Sequence, residues 1–366
     1  MYKNDLAEPL ESTEEYNLNY IRTDSTIEEA LIVLNTISDR YPERPLTLLI
    51  QDPENKLTGT LTDGDIRRKL VAGSNLHDSV KSCMNTDFSF IRKNGGSYYD
   101  LEEYRLLGIR LLPMLNERDE IVKIYDLTKL KSILPVETVI MAGGRGTRLK
   151  PLTNDTPKPL LKVGHKPIME HNMDRLMSYG VENFSVSINY LADQIESYFG
   201  SGNDKSINIR YIREDKPLGT AGSLSLIDSF KSDDILLTNS DVLTTLDYEK
   251  FYLDFKKQNA DISIVSIPYQ VKVPYGVFEM NDGKVSSIRE KPEYTYYSNA
   301  GIYLLKKQLI RDIPHNNYLD ITQFVEEQVG KGKKVISFPF WGYWLDVGKP
   351  EDFENAQKAI QILESY

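Results

Sequence analysis

The sequence predicts an α/β protein, with a mostly parallel sheet carrying helices on both faces over residues 135–366. A smaller α+β region precedes it over residues 18–134. Three observations carry this. After Pro135, short β-branched apolar runs alternate with stretches of helical spacing, the pattern of parallel strands joined by crossover helices. Several of those runs end in glycine-containing loops, and such sheets bind ligands beyond the carboxyl ends of their strands. Before Pro135, a cycle of two strands and a helix occurs twice, which points to an internal duplication.

Taken in order, residues 1–17 are polar and acidic and read as a loosely held arm. Ile27, Ala30, Leu31 and Leu34 recur at helical spacing, and Thr26-Ile27-Glu28-Glu29 supplies a helix start. Residues 46–50 and 59–61 read as strands around a turn at 52–55, and 63–72 as a helix ended by Gly73. The second cycle has a helix near 101–107, strands at 111–115 and 121–125, and a short helix from Leu127. Pro135 marks the linker. Beyond it, strands are expected at 138–142, 184–189, 207–212 and 234–239, and helices at 168–179 and 192–199. The loop 216–222 leads into a helix through Leu226. Phe353, Ala356, Ile360 and Leu363 make 350–366 an amphipathic helix.

The chemistry concentrates where the first strand of the larger domain ends, in Ala142-Gly143-Gly144-Arg145-Gly146-Thr147-Arg148-Leu149, followed by Pro157-Lys158-Pro159-Leu160. Three glycines in four positions bring backbone N–H groups close to a ligand without Cβ atoms in the way. Successive N–H groups aimed into one concavity bind anions, and Arg145, Arg148 and Lys158 add positive charge beside it. This is a phosphate-binding loop, and two familiar kinds are excluded. The Walker spacing is missing, and Leu149 stands where a dinucleotide fingerprint needs its third glycine.

The run from Ala142 to Thr153, with Thr156-Pro157-Lys158-Pro159-Leu160, resembles the signature of sugar-1-phosphate nucleotidyltransferases, from about Glu137 to the C-terminus. These enzymes join a nucleoside triphosphate to a sugar 1-phosphate and release pyrophosphate, on a Rossmann-like sheet. The resemblance implies Mg²⁺ held by Asp241 and Asp346, whose hard oxygens suit that ion. It implies that Arg148 neutralises the triphosphate during attack and that Lys158 reaches the α-phosphate. Arg148, Lys158, Asp241 and Asp346 are thus the expected catalytic residues. Ala142, Gly143, Gly144, Gly146, Thr147, Arg148, Lys158, Leu218, Gly219 and Thr220 are expected to hold the nucleotide. On the sugar-phosphate side, Glu290 and Lys291 match a Glu-Lys-Pro motif, Asn299 and Gly301 an Asn-x-Gly motif, and Gly276 another sugar-side turn. Gly219 is expected to be small because a side chain would meet a stacked base. Ser240 stands where the family often has glycine. His77, His165, His171 and His315 lack metal-ligand spacing, and no hydrolytic triad is evident.

Residues 57–68, Leu-Thr-Gly-Thr-Leu-Thr-Asp-Gly-Asp-Ile-Arg-Arg, look like part of a tandem pair of CBS modules. In that family, residues at the positions of Thr62 and Asp65 bind the phosphate and ribose of an adenine nucleotide. The plainer reading makes Thr62 a helix cap. The second module lacks the Gly-x-x-Thr-x-x-Asp spacing around residues 124–127, which removes one half-site. Packing of the pair into a homo-oligomer is an equally good role.

Composition narrows the rest. A net charge of −10 and a pI near 5.1 argue against a broad nucleic-acid surface. No apolar run approaches the roughly 20 residues of a membrane helix, and the start lacks the apolar core of a signal peptide. Cys83 is the one cysteine, which excludes an intrachain disulfide and suits a small packed residue. Together these point to the cytoplasm, without nucleic-acid or membrane partners. No hexapeptide repeats follow the domain, so the acetyltransferase part of some bifunctional relatives is not expected.

The combination of a CBS pair with this domain resembles bacterial guanylyltransferases that activate glucosamine 1-phosphate for legionaminic acid synthesis. GTP and glucosamine 1-phosphate are therefore the favoured substrates. A mannose-1-phosphate guanylyltransferase, or another member of the class, is the alternative. A nucleotide-sensing regulatory protein on an inactive transferase fold is the rival from another class.

Overall fold

The computed structural model describes residues 16–92 and 101–360. Of the arm expected over 1–17, residues 1–15 lie outside it, as do 361–366 of the expected C-terminal helix. The chain divides into two compact units, one running to Leu134 and the other from Pro135, with Ser178–Gly180 and Asn203–Ser206 grouped with the first.

The first unit contains β1 (Tyr20–Arg22), α1 (Ile27–Arg40), β2 (Thr47–Gln51), β3 (Leu57–Thr62), α2 (Asp63–Val71), β4 (Ile91–Arg92), α3 (Glu102–Leu106), β5 (Leu111–Leu115) and β6 (Ile121–Asp126). These strands form two three-stranded sheets, β1-β2-β3 and β4-β5-β6. In each, the first strand pairs parallel with the second and the second antiparallel with the third. The duplicated element is therefore strand-helix-strand-strand, one strand longer than the cycle read from the sequence. Thr26 and Glu29 cap α1 reciprocally, and its buried face carries Ile27, Ala30, Leu34 and Ile37. Cys83 is buried in the same core.

The short helix expected from Leu127 does not form. Asp126 Oδ1 instead accepts from the Thr128 amide at 2.9 Å and from its hydroxyl at 2.6 Å. A side-chain acceptor of this kind gives the backbone a turn that competes with helix.

The second unit begins with β7 (Val136–Met141). After the small hairpin β8 (Lys162–Val163) and β9 (Lys166–Pro167) come α4 (Ile168–Ser178), β10 (Asn183–Ile188), α5 (Ala192–Phe199) and β11 (Asn208–Arg213). Then follow α6 (Gly219–Gly222), β12 (Asp234–Asn239), β13 (Val242–Thr244), α7 (Tyr248–Lys257), β14 (Ile262–Lys272), β15 (Val277–Asn281), β16 (Lys284–Arg289) and β17 (Glu293–Lys306). The unit closes with α8 (Ile321–Gly330), β18 (Val335–Pro339), β19 (Trp344–Asp346) and α9 (Pro350–Lys358).

Seven strands form the central sheet in the order β11-β10-β7-β12-β17-β14-β18. All neighbours are parallel except at β17, which runs against both β12 and β14. The α/β class and the mostly parallel sheet thus hold. Parallel strands need both faces covered, and β7, β10 and β12 are buried almost throughout. Beyond the sheet, β14 and β17 continue as a long antiparallel pair, and β15 pairs with β16 in a separate hairpin. Among the described residues, no helix is long and apolar enough to cross a membrane.

Candidate active site

Strand order places β7 at a switch point. The chain leaves β7 to build β10 and β11 on one side, then returns to lay β12 on the other. A crevice opens beyond the carboxyl ends of strands at such a point, and a cavity of about 320 Å³ lies there. Its walls are Ala142, Gly143 and Gly144 after β7, Asn239 to Asp241 after β12, and Glu214, Gly219 and Thr220 after β11. Lys158, Tyr318 and Asp320 complete the lining that the argument needs.

Each glycine of these loops has its own reason. A Cβ on Gly144 would meet nothing within 4 Å, so the space beside it is open. Gly146 adopts a left-handed φ of +59°, and a Cβ there would lie 2.9 Å from Thr153 and 3.2 Å from Lys158. Thr153 also donates its hydroxyl to the Gly146 carbonyl at 2.8 Å, closing the loop on itself. At Gly219, with φ of +73°, a Cβ would come within 2.7 Å of the Leu319 carbonyl and 2.9 Å of Asp320 Oδ1. The chain's own backbone therefore constrains Gly219, independently of the stacked base expected from the sequence. Ala221 and Gly222 donate to that same Leu319 carbonyl, which fixes it in place.

Lys158 is a buried cation rather than a solvated one, with 9% of its surface exposed. Its ammonium is paired with Asp241 Oδ2 and lies 3.8 Å from Asp346 Oδ1. The two aspartates are about a hundred residues apart in sequence, and an antiparallel pairing joins them. β13 and β19 match Val242 with Asp346, and the Val347 amide donates to the Asp241 carbonyl at 3.0 Å. Burial, and then the Asp241 carboxylate, raise the Asp346 carboxyl above the ordinary range. Lys158 and Arg148 pull it the other way. Arg148 thus stands close enough to act on this carboxylate, and its guanidinium packs against Gly348.

Asp241 Oδ1 and Asp346 Oδ1 are both buried and without a hydrogen-bond partner. Buried carboxylate oxygens are normally satisfied, so these two oxygens are donors that suit a hard cation. Among the described residues, no group of three or more His, Cys, Asp and Glu side chains is arranged for a metal.

The sugar-side residues fall into two groups. Asn299 donates to the Tyr303 hydroxyl at 2.5 Å and accepts from the Gly301 amide at 2.9 Å. A Cβ on Gly301 would strike Asn239 at 2.6 Å, so this pair abuts the cavity wall. Gly276, Glu290 and Lys291 sit at the ends of the β15–β16 hairpin, where a Cβ on Gly276 would lie 3.1 Å from Glu290 Oε2. They are not part of the cavity lining. Neither are Gly146, Thr147, Arg148 and Leu218. Leu218 is fully buried, and its amide and carbonyl bond to Glu214 and Leu319.

Sequence reasoning missed Glu214. Its Oε1 accepts from the Ser187 hydroxyl at 2.5 Å and its Oε2 from the Leu218 amide at 3.0 Å. Its backbone carbonyl accepts from the Asn189 amide side chain at 2.6 Å. One carboxylate thus ties the end of β10 to the loop that carries Gly219 and Thr220. The signal was masked, because Arg213-Glu214-Asp215-Lys216 reads as a solvated charge run. In the first unit, Thr62 and Asp65 cap α2 for each other: the Thr62 amide and hydroxyl donate to Asp65 Oδ2 at 2.9 and 2.6 Å.

The family described as nucleotidyl transferase matches residues 137–362. A mannose-1-phosphate guanyltransferase of Yarrowia lipolytica is 34% identical over 59% of this chain and 61% of its own length. A mannose-1-phosphate guanylyltransferase of Mycobacterium tuberculosis is 31% identical over 60% and 62%. The chain therefore spans about three fifths of the length of these relatives. A D-glycero-alpha-D-manno-heptose 1-phosphate guanylyltransferase of Aneurinibacillus thermoaerophilus is 27% identical over 62% of this chain and 99% of its own. Among solved structures, a Bacillus anthracis protein provisionally named a glucose-1-phosphate thymidylyltransferase, crystallised with sucrose, superposes with a TM-score of 0.50 at 25% identity. That match covers 61% of this chain and 94% of the other.

Proposed function

The chain belongs to the nucleotidyl transferase family, and from that premise we propose that it transfers a nucleotidyl group from GTP to a sugar 1-phosphate, releasing pyrophosphate. The observation that carries the reading is the constellation of Lys158, Asp241 and Asp346 beside a glycine-lined cavity at the sheet's switch point. Guanine is favoured because guanylyltransferases recur among the relatives. Glucosamine 1-phosphate is our choice of acceptor, from the likeness of the two-part chain to enzymes of legionaminic acid synthesis. Mannose 1-phosphate is the alternative that the relatives' names support.

Two anions must meet in this reaction, so the protein has to neutralise charge and hold an in-line geometry. Gly143 and Gly144 present backbone N–H groups to the triphosphate, the Ala142 amide being bonded to the Ser187 carbonyl at 2.8 Å, and Arg148 and Lys158 supply cations. Glu214 holds the Leu218–Thr220 loop that forms the opposite wall. Asn299, Gly301 and, from the hairpin, Gly276, Glu290 and Lys291 receive the sugar phosphate. Asp241 and Asp346 would hold Mg²⁺, completed by phosphate oxygens and water, and the ion would supply charge neutralisation on the triphosphate. Lys158 pairs with Asp241, so triphosphate and metal would compete for that contact.

Residues 18–134 are proposed as a CBS pair with a regulatory or assembling role, and 135–366 as the catalytic domain, in a cytoplasmic enzyme. An adenine nucleotide at Thr62 and Asp65 would have to replace bonds those residues make to each other.

The test is pyrophosphate release with Mg²⁺ across GTP, dTTP, UTP, CTP and ATP, each offered glucosamine, N-acetylglucosamine, mannose and glucose 1-phosphates. Turnover with GTP and one sugar is expected. Nucleotide binding with no release for any pair would support the sensor instead.

A further inference from the structure

A second cavity, of about 390 Å³, lies in the same unit, between the segment after α6 and the segment after β17. It falls in the size range of small-molecule sites, and its lining is graded in character. Leu224, Ile227, Phe230, Ile310 and Ile313 give it an apolar floor. Arg311 brings a guanidinium, His315 an imidazole, Asp228 a carboxylate, and Ser225 and Ser229 hydroxyls, while the Lys307 ammonium is paired with Asp233 Oδ1 at 2.7 Å. Arg311 and Asp228 are exposed at the rim, and neither forms an ion pair among the described residues.

We propose that this cavity is a second ligand site that takes a nucleoside phosphate, distinct from the catalytic cavity. The complementarity runs part by part. An apolar floor with one aromatic ring suits a base, which is flat and poorly hydrated on its faces. A carboxylate accepts from ribose hydroxyls. A guanidinium with five N–H donors in a fixed fork, beside an imidazole, matches a phosphate. The floor residues Leu224, Ile227, Ile310 and Ile313 also belong to the unit's buried core, and a simple inorganic anion would use Arg311 and leave Asp228 without a purpose.

The segments that line this cavity run on in sequence into segments that line the other. Residues 224–230 follow directly on the Leu218–Gly222 loop, and 307–315 lead into Tyr318 and Asp320. The two segments are laced together. His315 Nδ1 bonds the Ser225 carbonyl at 2.9 Å, and Ser225 Oγ accepts from the Asn316 amide at 3.0 Å while donating to the Gly222 carbonyl at 2.6 Å. Leu319 then accepts from Ala221 and Gly222, and the Thr220 hydroxyl accepts from the Ile321 amide at 2.9 Å. A ligand that draws His315 and Arg311 inward therefore pulls on backbone that lines the catalytic cavity. Its occupancy should change the KM for the triphosphate, a consequence that rests on the catalytic reading, whereas binding itself does not.

Equilibrium dialysis of the full chain against labelled GDP, with and without inorganic phosphate as competitor, tests the site. Wild type should bind one equivalent more than Arg311→Ala. Asp228→Ala should weaken that extra equivalent about tenfold, the scale of a lost charge-assisted bond. Both variants should turn over as wild type does without added GDP. Equal stoichiometry in wild type and Arg311→Ala would overturn the proposal. So would an extra equivalent that inorganic phosphate displaces as strongly as GDP does, since a nucleoside would then be irrelevant. A lost extra equivalent with no turnover for any substrate pair would leave this site standing and fault the catalytic reading alone.

Discussion

Gly144 and Gly219 both line the cavity beyond β7, yet the same change to alanine should act on them in opposite ways. At Gly219 the backbone is left-handed, which costs an L-residue roughly 1–2 kcal/mol. The new Cβ would also sit 2.7 Å from a Leu319 carbonyl held by two amides, so backbone must shift. Together these give about 2–4 kcal/mol of destabilisation, adding roughly the overpacking cost of a filled site. For a unit of this size that lowers the melting temperature by roughly 5–12 °C. At Gly144 a Cβ meets nothing within 4 Å and φ is not left-handed. Gly144→Ala should therefore leave stability unchanged or raise it by up to about 1 kcal/mol, through the stiffer unfolded chain. On the proposed phosphate-loop reading its methyl group projects where phosphate would approach, so GTP affinity should fall about tenfold or more, some 1.4 kcal/mol. Melting curves and calorimetric GTP titrations read both quantities. Gly144→Ala binding GTP as wild type does would refute the phosphate-loop reasoning. Gly219→Ala melting with wild type would refute the steric argument.

Three further outcomes are expected. The folded chain binds a proton at Asp346 more tightly than the unfolded chain does, so metal-free stability falls as pH rises through that raised value. Asp346→Asn should accordingly melt higher than wild type near neutral pH in chelator, converge with it below the ordinary carboxylate range, and turn over at least about 10²-fold more slowly. Lys123 is 6% exposed, and burial lowers its ammonium to about 7. The unfolded chain then binds that proton more tightly, stability rises with pH above about 7, and Lys123→Met should remove the slope while stabilising the protein at pH 7 by roughly 1–3 kcal/mol. Glu214→Ala leaves the Ser187 hydroxyl and Leu218 amide without their acceptor, so the KM for the triphosphate should rise about tenfold, with kcat falling less.

The glycine loop was legible because its information is local: β7, Gly143, Gly144, Gly146 and Lys158 lie within one short stretch. The alternation of strands and helices was legible for the same reason, since period and turn chemistry are properties of neighbours. Less could be read where the fold brings distant segments together. Nothing in the spacing of Asp241 and Asp346 says that β13 and β19 will pair and set them side by side. Resemblance alone linked them. β1 and β4 have three and two residues, too short for any period to register. Glu214 carries no local signal because its partners, Ser187 and Leu218, come from another strand and from a loop. The reason for Gly219 likewise lay in Leu319, about a hundred residues on.

The central claim is that Lys158, Asp241 and Asp346 form the transfer centre, and one comparison addresses it most directly. Pyrophosphate release by wild type and by Asp241→Ala would be followed with GTP, Mg²⁺ and the preferred sugar 1-phosphate, alongside metal-free GTP binding. The account predicts a fall in turnover of about 10²-fold or more, the scale of a lost electrostatic stabiliser, with metal-free binding retained because Lys158 is freed rather than lost. Turnover that survives the substitution unchanged would contradict it.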